Sequence, residues 1–114
     1  MKWKLIYKTS IDAAHFLNLP YESKCKNLHG HTWKIFVFIE SPELDENGMV
    51  IDFQVLKKII HELDHKCLND FLNQPTCEKL AEFLYQRIKP YLKESMKLEI
   101  KVCESPNSCV IYED

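Results

Sequence analysis

A chain of 114 residues is long enough for one hydrophobic core and too short for two, so we expect a single domain over residues 1–114. Its 46% hydrophobic and 28% charged residues are ordinary for a globular protein, and a net charge of −2 offers no basic surface to nucleic acid. No apolar run reaches membrane-spanning length and no secretory signal is visible, so we expect neither a nucleic acid nor a membrane partner and a cytoplasmic location.

The chain has an odd number of cysteines. None of them forms a Cys-x-x-Cys pair, the spacing typical of a zinc ribbon or a thioredoxin-like motif. There are five of them: Cys25, Cys67, Cys77, Cys103 and Cys109. Because a reducing compartment keeps thiols free, disulfides are not expected. Four are predicted to be small core residues, whereas Cys25 stands apart in a loop beside a histidine pair.

Alternating apolar residues predict two long strands in the first third of the chain. Residues 2–11 alternate lysine with Trp, Leu and Tyr, which is typical of a half-buried strand. The same alternation, continued without a bulge, places His15 on the apolar side. After a loop, the second strand is predicted over 29–40. Phe36 and Phe38 on its other side indicate that this side is covered too, by a partner subunit.

Two helices are predicted in the middle of the chain. The first begins after Asp52 as N-cap and is expected to end near Asp64 and His65. Its predicted buried face is Phe53, Leu56, Ile59, Ile60 and Leu63. The second begins after Thr76 as N-cap, with an acidic first turn that suits the helix dipole. Its predicted buried face is Leu80, Phe83, Leu84 and Ile88.

Two short strands end the chain. Residues 98–104 alternate so that Glu104 falls on the apolar face, and a tight connection leads to a strand over 108–112. A buried carboxylate needs a partner, which is either a lysine or arginine or a ligand with two parallel N–H donors, such as an aminopyrimidinone edge. The predicted fold class is α+β, in the order ββααββ, with a four-stranded antiparallel sheet and both helices on one face.

Three histidines predict a metal site. His29 and His31 are two residues apart on a strand, so they project to the same side, and His15 at the end of the first strand can join them. A lone buried histidine is more often a hydrogen-bonded core residue, but this pair favours a metal. Three neutral imidazoles with one open position are typical of catalytic Zn²⁺. His61 is predicted to be a surface residue.

The residues alone leave the roles of two further groups open. Cys25 is a fourth zinc ligand that closes a structural site, a free base near the metal, or an inert thiol. His65 follows Asp64 at a helix end, where a histidine can simply stabilise the helix dipole.

Six short motifs, taken together in chain order, resemble the 6-pyruvoyltetrahydropterin synthase / 6-carboxytetrahydropterin synthase family. They are Ala-Ala-His-Phe-Leu, Cys-x-x-x-His-Gly-His, Val-Ile-Asp-Phe, Leu-Asp-His-x-x-Leu-Asn, Pro-Thr-x-Glu and a terminal Val-x-Glu. The resemblance implies the tunnelling fold (T-fold), in which subunits join their sheets around a ring, a hexamer or similar, and build active sites between them.

The resemblance also implies roles for the candidate residues. The three histidines would bind zinc, and Cys25 would be the base that removes a proton, which favours base over ligand. Asp64 and His65 would form a catalytic pair, with His65 reaching Cys25 across a subunit boundary. Glu104 would anchor the pterin and take part in catalysis.

The three-residue gap between Cys25 and His29 resembles the 6-carboxy branch of the family. Its members convert 7,8-dihydroneopterin triphosphate to 6-carboxy-5,6,7,8-tetrahydropterin with release of acetaldehyde and triphosphate, on the route to queuosine and other deazapurines. Three alternatives stay open. Two lie within the family, the 6-pyruvoyl reaction and side-chain cleavage of sepiapterin, and the third is a non-enzymatic zinc- or pterin-binding module with a closed site of one cysteine and three histidines.

Two positions depart from the family pattern around Pro-Thr-x-Glu. Cys77 stands where the family often has Ser, Thr or Ala, and Lys79 stands where it commonly has Asn. Either could alter how the pterin edge or the triphosphate is held. Lys24 and Lys26 are candidates for binding the triphosphate.

Overall fold

The structure, a computed structural model, describes all residues 1–114 and has the predicted order ββααββ. Its elements are β1 (Trp3–His15), β2 (His29–Ser41), α1 (Phe53–His61), α2 (Cys77–Ile88), β3 (Lys97–Ser105) and β4 (Ser108–Glu113). The strands form one antiparallel sheet in the order β1-β2-β3-β4, so the α+β fold class is confirmed. Neither helix has the length and apolar character needed to cross a membrane.

The hydrophobic core lies between the two helices and one face of the sheet. α1 contacts β1, whereas α2 contacts β3 and β4. Many of the strand residues that point towards the helices are fully buried, among them Trp33, Ile35, Val37 and Ile100. Since alternate residues of a strand share a face, His29 and the other odd-numbered residues of β2 also belong to the helix-covered side.

The opposite face of the sheet is not covered within the chain. Ile6 is 64% and Ile111 is 58% exposed. Phe36 and Phe38 are half-buried, their rings are parallel with centroids 6.3 Å apart, and the Lys101 ammonium lies 4.9 Å from the Phe36 ring centroid. The cover that the sequence predicts for these two rings therefore does not come from this chain.

α1 ends earlier than predicted. The helix stops at His61, and a series of turns leads to His65, whose φ of 61° no α-helix can contain. The His65 N–H donates to the Asp12 carbonyl at 2.7 Å, so a contact with β1 replaces the last helical turn. The expectation that Phe53 is buried is also wrong: it is 54% exposed, and its ring stacks on Tyr7 at 6.0 Å.

The cysteine predictions are wrong in two respects. Cys103 and Cys109 form a disulfide, because the β3–β4 register places them directly opposite each other. Only Cys103 is buried, whereas Cys109 is exposed and Cys67 and Cys77 are half-buried. The expectation of free thiols in the core rested on the assumed compartment, which says nothing about strand register.

The Cys77 thiol is expected to make stability depend on alkaline pH. Its Sγ donates to the Val102 carbonyl at 3.1 Å, and burial raises its pKa from 9.0 to about 11. A pKa that is raised in the folded state contributes stability that is complete below pH 9 and is lost as the pH rises to about 11. Urea denaturation should therefore show a free energy of unfolding that falls across this range, and Cys77→Ser should flatten the fall.

Tyr85 provides the matched control for this prediction. Burial, assisted by its hydrogen bond to Asp114, raises the pKa of Tyr85 from 10.0 to about 12, so it weakens stability over a higher range. Tyr85→Phe should flatten the curve between pH 10 and about 12 and leave unchanged the fall between pH 9 and pH 10, which belongs to Cys77 alone. A pH dependence that is the same in Cys77→Ser as in the parent would contradict the assignment.

Candidate metal and catalytic site

The three histidines predicted as metal ligands meet where β1 ends and β2 begins. The register places His15 opposite His29 and Ala13 opposite His31, so the three rings leave the same face of the sheet. Their centroids are 4.5, 4.9 and 5.2 Å apart. Potential ligand atoms of these rings and of Glu104 all lie within 4.8 Å of one another. Tertiary structure thus adds one carboxylate, from β3, to the predicted trio.

Hydrogen bonds orient two of these rings with Nε2 free. His15 Nδ1 lies 2.8 Å from the Pro75 carbonyl oxygen, and His29 Nδ1 lies 2.6 Å from that of Asn27. A carbonyl oxygen can only accept, so each Nδ1 carries the proton and each Nε2 carries the lone pair. Burial lowers the pKa of His15, which is 1% exposed, so its ring is neutral at pH 7.

The donor set fits a zinc ion. The Nε2 atoms of His15 and His31 are buried and make no hydrogen bond. Glu104 Oε1 lies 3.4 Å and 3.1 Å from them, without the angles of a hydrogen bond. Buried polar atoms without partners cost free energy unless a ligand binds them. Neutral imidazole nitrogens suit zinc, and their orphaned lone pairs point to one shared ion.

Trp33 forms a rigid support beneath the cluster. Its indole N–H donates to the Ala13 carbonyl at 3.1 Å, and its ring is fully buried. The ring packs nearly perpendicular to His15 and to His31, with centroids 5.0 and 5.3 Å apart. Packing of this kind limits the rotation of metal-binding rings.

Two side-chain amides fasten the chain that follows His15, and sequence reasoning assigned them no role. Asn69 accepts from the Phe16 N–H and donates to the Phe16 carbonyl, each at 2.9 Å. Gln74 makes the same pair of bonds to Asn18. The sequence did contain one indication of this role, because Asn69 is the last residue of the fourth motif. A side-chain amide offers both a donor and an acceptor and can therefore bind the N–H and the carbonyl of a backbone together.

Asp64 and His65 lie on the turns after α1, beside the edge strand β1. Asp64 Oδ1 accepts the Asp12 N–H at 2.9 Å, and this bond is the main reason why the pKa of Asp64 is lowered. The His65 side chain is 78% exposed, with Nε2 3.7 Å from Asp64 Oδ2. A positive φ at a non-glycine residue is strained, and such strain is concentrated at functional sites.

Cys25 lies in a short 3-10 turn, Lys24–Lys26, between β1 and β2. Ser23 caps this turn by accepting the Cys25 N–H at 3.1 Å. The thiol is free and half-buried, and it is not one of the four groups of the histidine cluster. No hydrogen bond joins it to His65 within the chain. The predicted base and its predicted partner therefore share no hydrogen bond within one subunit.

An open depression of about 580 Å³ lies between His31 and His65. Its lining includes Thr32, whose hydroxyl donates to the Asp12 carboxylate at 2.6 Å. A larger cavity of about 640 Å³ lies at the other end of the sheet and is lined by no histidine or cysteine. Of the candidate metal and catalytic residues, His31 and His65 line the smaller depression and none lines the larger cavity.

Comparisons with known proteins show which family the chain is similar to. A family model described as 6-pyruvoyl tetrahydropterin synthase matches residues 4–114. A Pyrococcus horikoshii protein, provisionally named 6-carboxy-5,6,7,8-tetrahydropterin synthase, is 50% identical over 112 residues, which cover 98% of this chain and 69% of that protein. The dihydroneopterin monophosphate aldolase of Pyrococcus furiosus is 38% identical over 103 residues, covering 87% and 86%.

The fold has solved counterparts as well. The 6-pyruvoyl tetrahydropterin synthase of Caenorhabditis elegans superposes with a TM-score of 0.78 at 23% identity, covering 100% of this chain and 96% of that one. This similarity concerns the tunnelling fold alone, whereas the match to the family model extends over nearly the whole sequence. The chain belongs to the 6-pyruvoyl tetrahydropterin synthase family.

Proposed function

We propose that this protein is a zinc-dependent lyase, a 6-carboxy-5,6,7,8-tetrahydropterin synthase. It converts 7,8-dihydroneopterin triphosphate and one water to 6-carboxy-5,6,7,8-tetrahydropterin, acetaldehyde and triphosphate. The observation that carries the proposal is the cluster of three histidines, two with buried unpaired Nε2 atoms, beside Glu104. The 50% identical relative and the Cys-x-x-x-His-Gly-His spacing favour the 6-carboxy reaction within the family.

In this proposal the histidines bind the metal through their Nε2 atoms, the ligand set being His15, His29 and His31. When bound, zinc acts as a Lewis acid towards the hydroxyls of the substrate side chain and makes the neighbouring protons more acidic. Glu104 turns from the rings and accepts two parallel N–H donors of the pterin, a charge-assisted pair that fixes the orientation of the substrate.

The proposed proton transfers belong to three residues. The Cys25 thiolate removes a carbon-bound proton, and His65 moves protons to and from the side-chain hydroxyls. Asp64, kept charged by its lowered pKa, stabilises the protonated form of His65. Lys24 and Lys26, on either side of Cys25, supply positive charge for the triphosphate.

We further propose a homo-oligomeric ring, a hexamer or similar, in which His65 serves the Cys25 of a neighbouring copy. The lack of a bond between them within the chain supports this arrangement. So do the outer edge of β4, the outer edge of β1 before Asp12, and the uncovered apolar face of the sheet, since exposed edges and faces favour association. We place the enzyme in the cytoplasm, with its product used for queuosine.

The mass of the product tests the reaction. Incubation of the zinc-loaded protein with 7,8-dihydroneopterin triphosphate should yield 6-carboxytetrahydropterin and an equal amount of acetaldehyde. A 6-pyruvoyl product without aldehyde would contradict the 6-carboxy reaction and support the 6-pyruvoyl one. Tight zinc and pterin binding without turnover would instead indicate a binding module. The similarity to the aldolase makes dihydroneopterin monophosphate a second substrate to test, and its preferred cleavage would also contradict the proposal.

A further inference from the structure

We propose that the Cys103–Cys109 disulfide positions Glu104 and thereby makes ligand binding at the histidine cluster sensitive to redox state. The inference depends on the function proposed above, in which Glu104 binds the pterin. It adds a positioning pair and a form of control that the family resemblance does not imply.

Glu104 occupies a break in the β3–β4 ladder. Cys103 pairs with Cys109 and the next pair is Ser105 with Ser108, so Glu104 is an extra residue without a partner on β4. Such a bulge redirects side chains, and bulges are frequent beside active sites. The carboxylate at this bulge is the one that lies 3.1 Å from His31 Nε2.

The disulfide joins β3 to β4 directly before the bulge, where the regular part of the β3–β4 ladder ends. On the other side of the bulge are only the Ser105–Ser108 pair and the turn that closes the hairpin. The ends of a hairpin open more readily than its middle, because few contacts hold them. Without the covalent bond, the bulge belongs to this opening end, and the Glu104 carboxylate spends less time in position to accept two donors.

The two sulfur atoms differ in access. Cys109 is exposed whereas Cys103 is 5% exposed, so a reducing dithiol can approach the Cys109 sulfur. A thiolate of the reducing dithiol bonds to the Cys109 sulfur, the S–S bond breaks, and Cys103 leaves as a thiolate that takes up a proton. The second thiol then displaces Cys109, and the reductant departs as a disulfide after giving two electrons and two protons to the pair. Cytoplasmic disulfides are mostly transient and redox-sensing, which fits such a role.

The proposal is tested by measuring how 7,8-dihydroneopterin binds to the zinc-loaded protein. Fluorescence titration gives the Kd before and after reduction of the protein with a phosphine. Reduction should raise the Kd at least about fivefold, because a misplaced charge-assisted hydrogen bond loses much of its contribution. The zinc content should not change. The double variant Cys103→Ser/Cys109→Ser should bind as weakly as the reduced parent and not respond to reductant. Cys67→Ser, which keeps the disulfide, should respond like the parent.

Several results would overturn the proposal. One is an equal Kd in both states when mass spectrometry confirms that two hydrogens were gained. Another is a count of five free thiols in the air-purified protein. Zinc loss from the double variant that accounts for its weaker binding would show a merely structural role. Glu104→Gln separates the two hypotheses: if it leaves the Kd unchanged, the proposed pterin role fails; if it weakens binding and reduction does not, only the disulfide proposal fails.

Discussion

Replacing Cys25 with alanine is expected to abolish turnover of 7,8-dihydroneopterin triphosphate while the zinc content stays at the parent level. A positioned base contributes about 10²–10⁴-fold to rate, so kcat should fall by about 10³-fold. The sulfur lies outside the four-group cluster, so its removal takes no ligand from the metal. Acetaldehyde release measures the rate, and elemental analysis of the purified variant measures the zinc.

The matched control is Cys67→Ser, which removes another half-buried free thiol. It should retain both zinc and activity. Loss of zinc from Cys25→Ala would show that the sulfur is a ligand, and undiminished turnover would assign proton removal to another group. Either result would end the role proposed for Cys25.

The second large effect is expected for His31→Ala, which should lose zinc and activity together. Removing only a hydrogen-bond partner of a metal ligand typically costs 10–100-fold in affinity, so removal of the ligand itself should cost more than about 10²-fold. His31 is preferable to His15 for this test: its side chain is 26% exposed, whereas that of His15 is 1% exposed and its removal would leave a cavity. Competition with a chelator gives the affinity.

His61→Ala is the control of the same residue type. His61 lies at the end of α1, where its Nε2 is 2.8 Å from the Thr9 hydroxyl, and it is outside the histidine cluster. Its replacement should leave zinc affinity unchanged. Parent-like zinc affinity in His31→Ala would contradict the three-histidine site.

Most of the fold could be predicted because its information is local. Alternation of apolar residues indicated each strand, and Asp52 and Thr76 marked the helix starts, where both side chains accept a backbone N–H. The end of α1 could not be predicted, because the His65 N–H bonds to a strand about fifty residues away in sequence. A distant acceptor of this kind competes with the helix and leaves no local signal.

The candidate site divides in the same way. The sequence showed that His29 and His31 share a face, because the spacing of two is itself the geometry of a strand. That Glu104 approaches them depends on β3 lying beside β2, and the pairing of Cys103 with Cys109 depends on the β3–β4 register. Neither contact could be derived from alternation, which specifies a face and not a neighbour.

The sequence by itself determined the order of the elements, the face that His29 and His31 share and, through its motifs, the family. Only the tertiary structure decided which side chains meet. It places His15 opposite His29, leaves two buried Nε2 atoms without a partner, brings the Glu104 carboxylate beside them, and joins Cys103 to Cys109 next to that glutamate. The physical reason is that backbone periodicity is set by neighbouring residues, whereas register and burial are set by packing between distant segments.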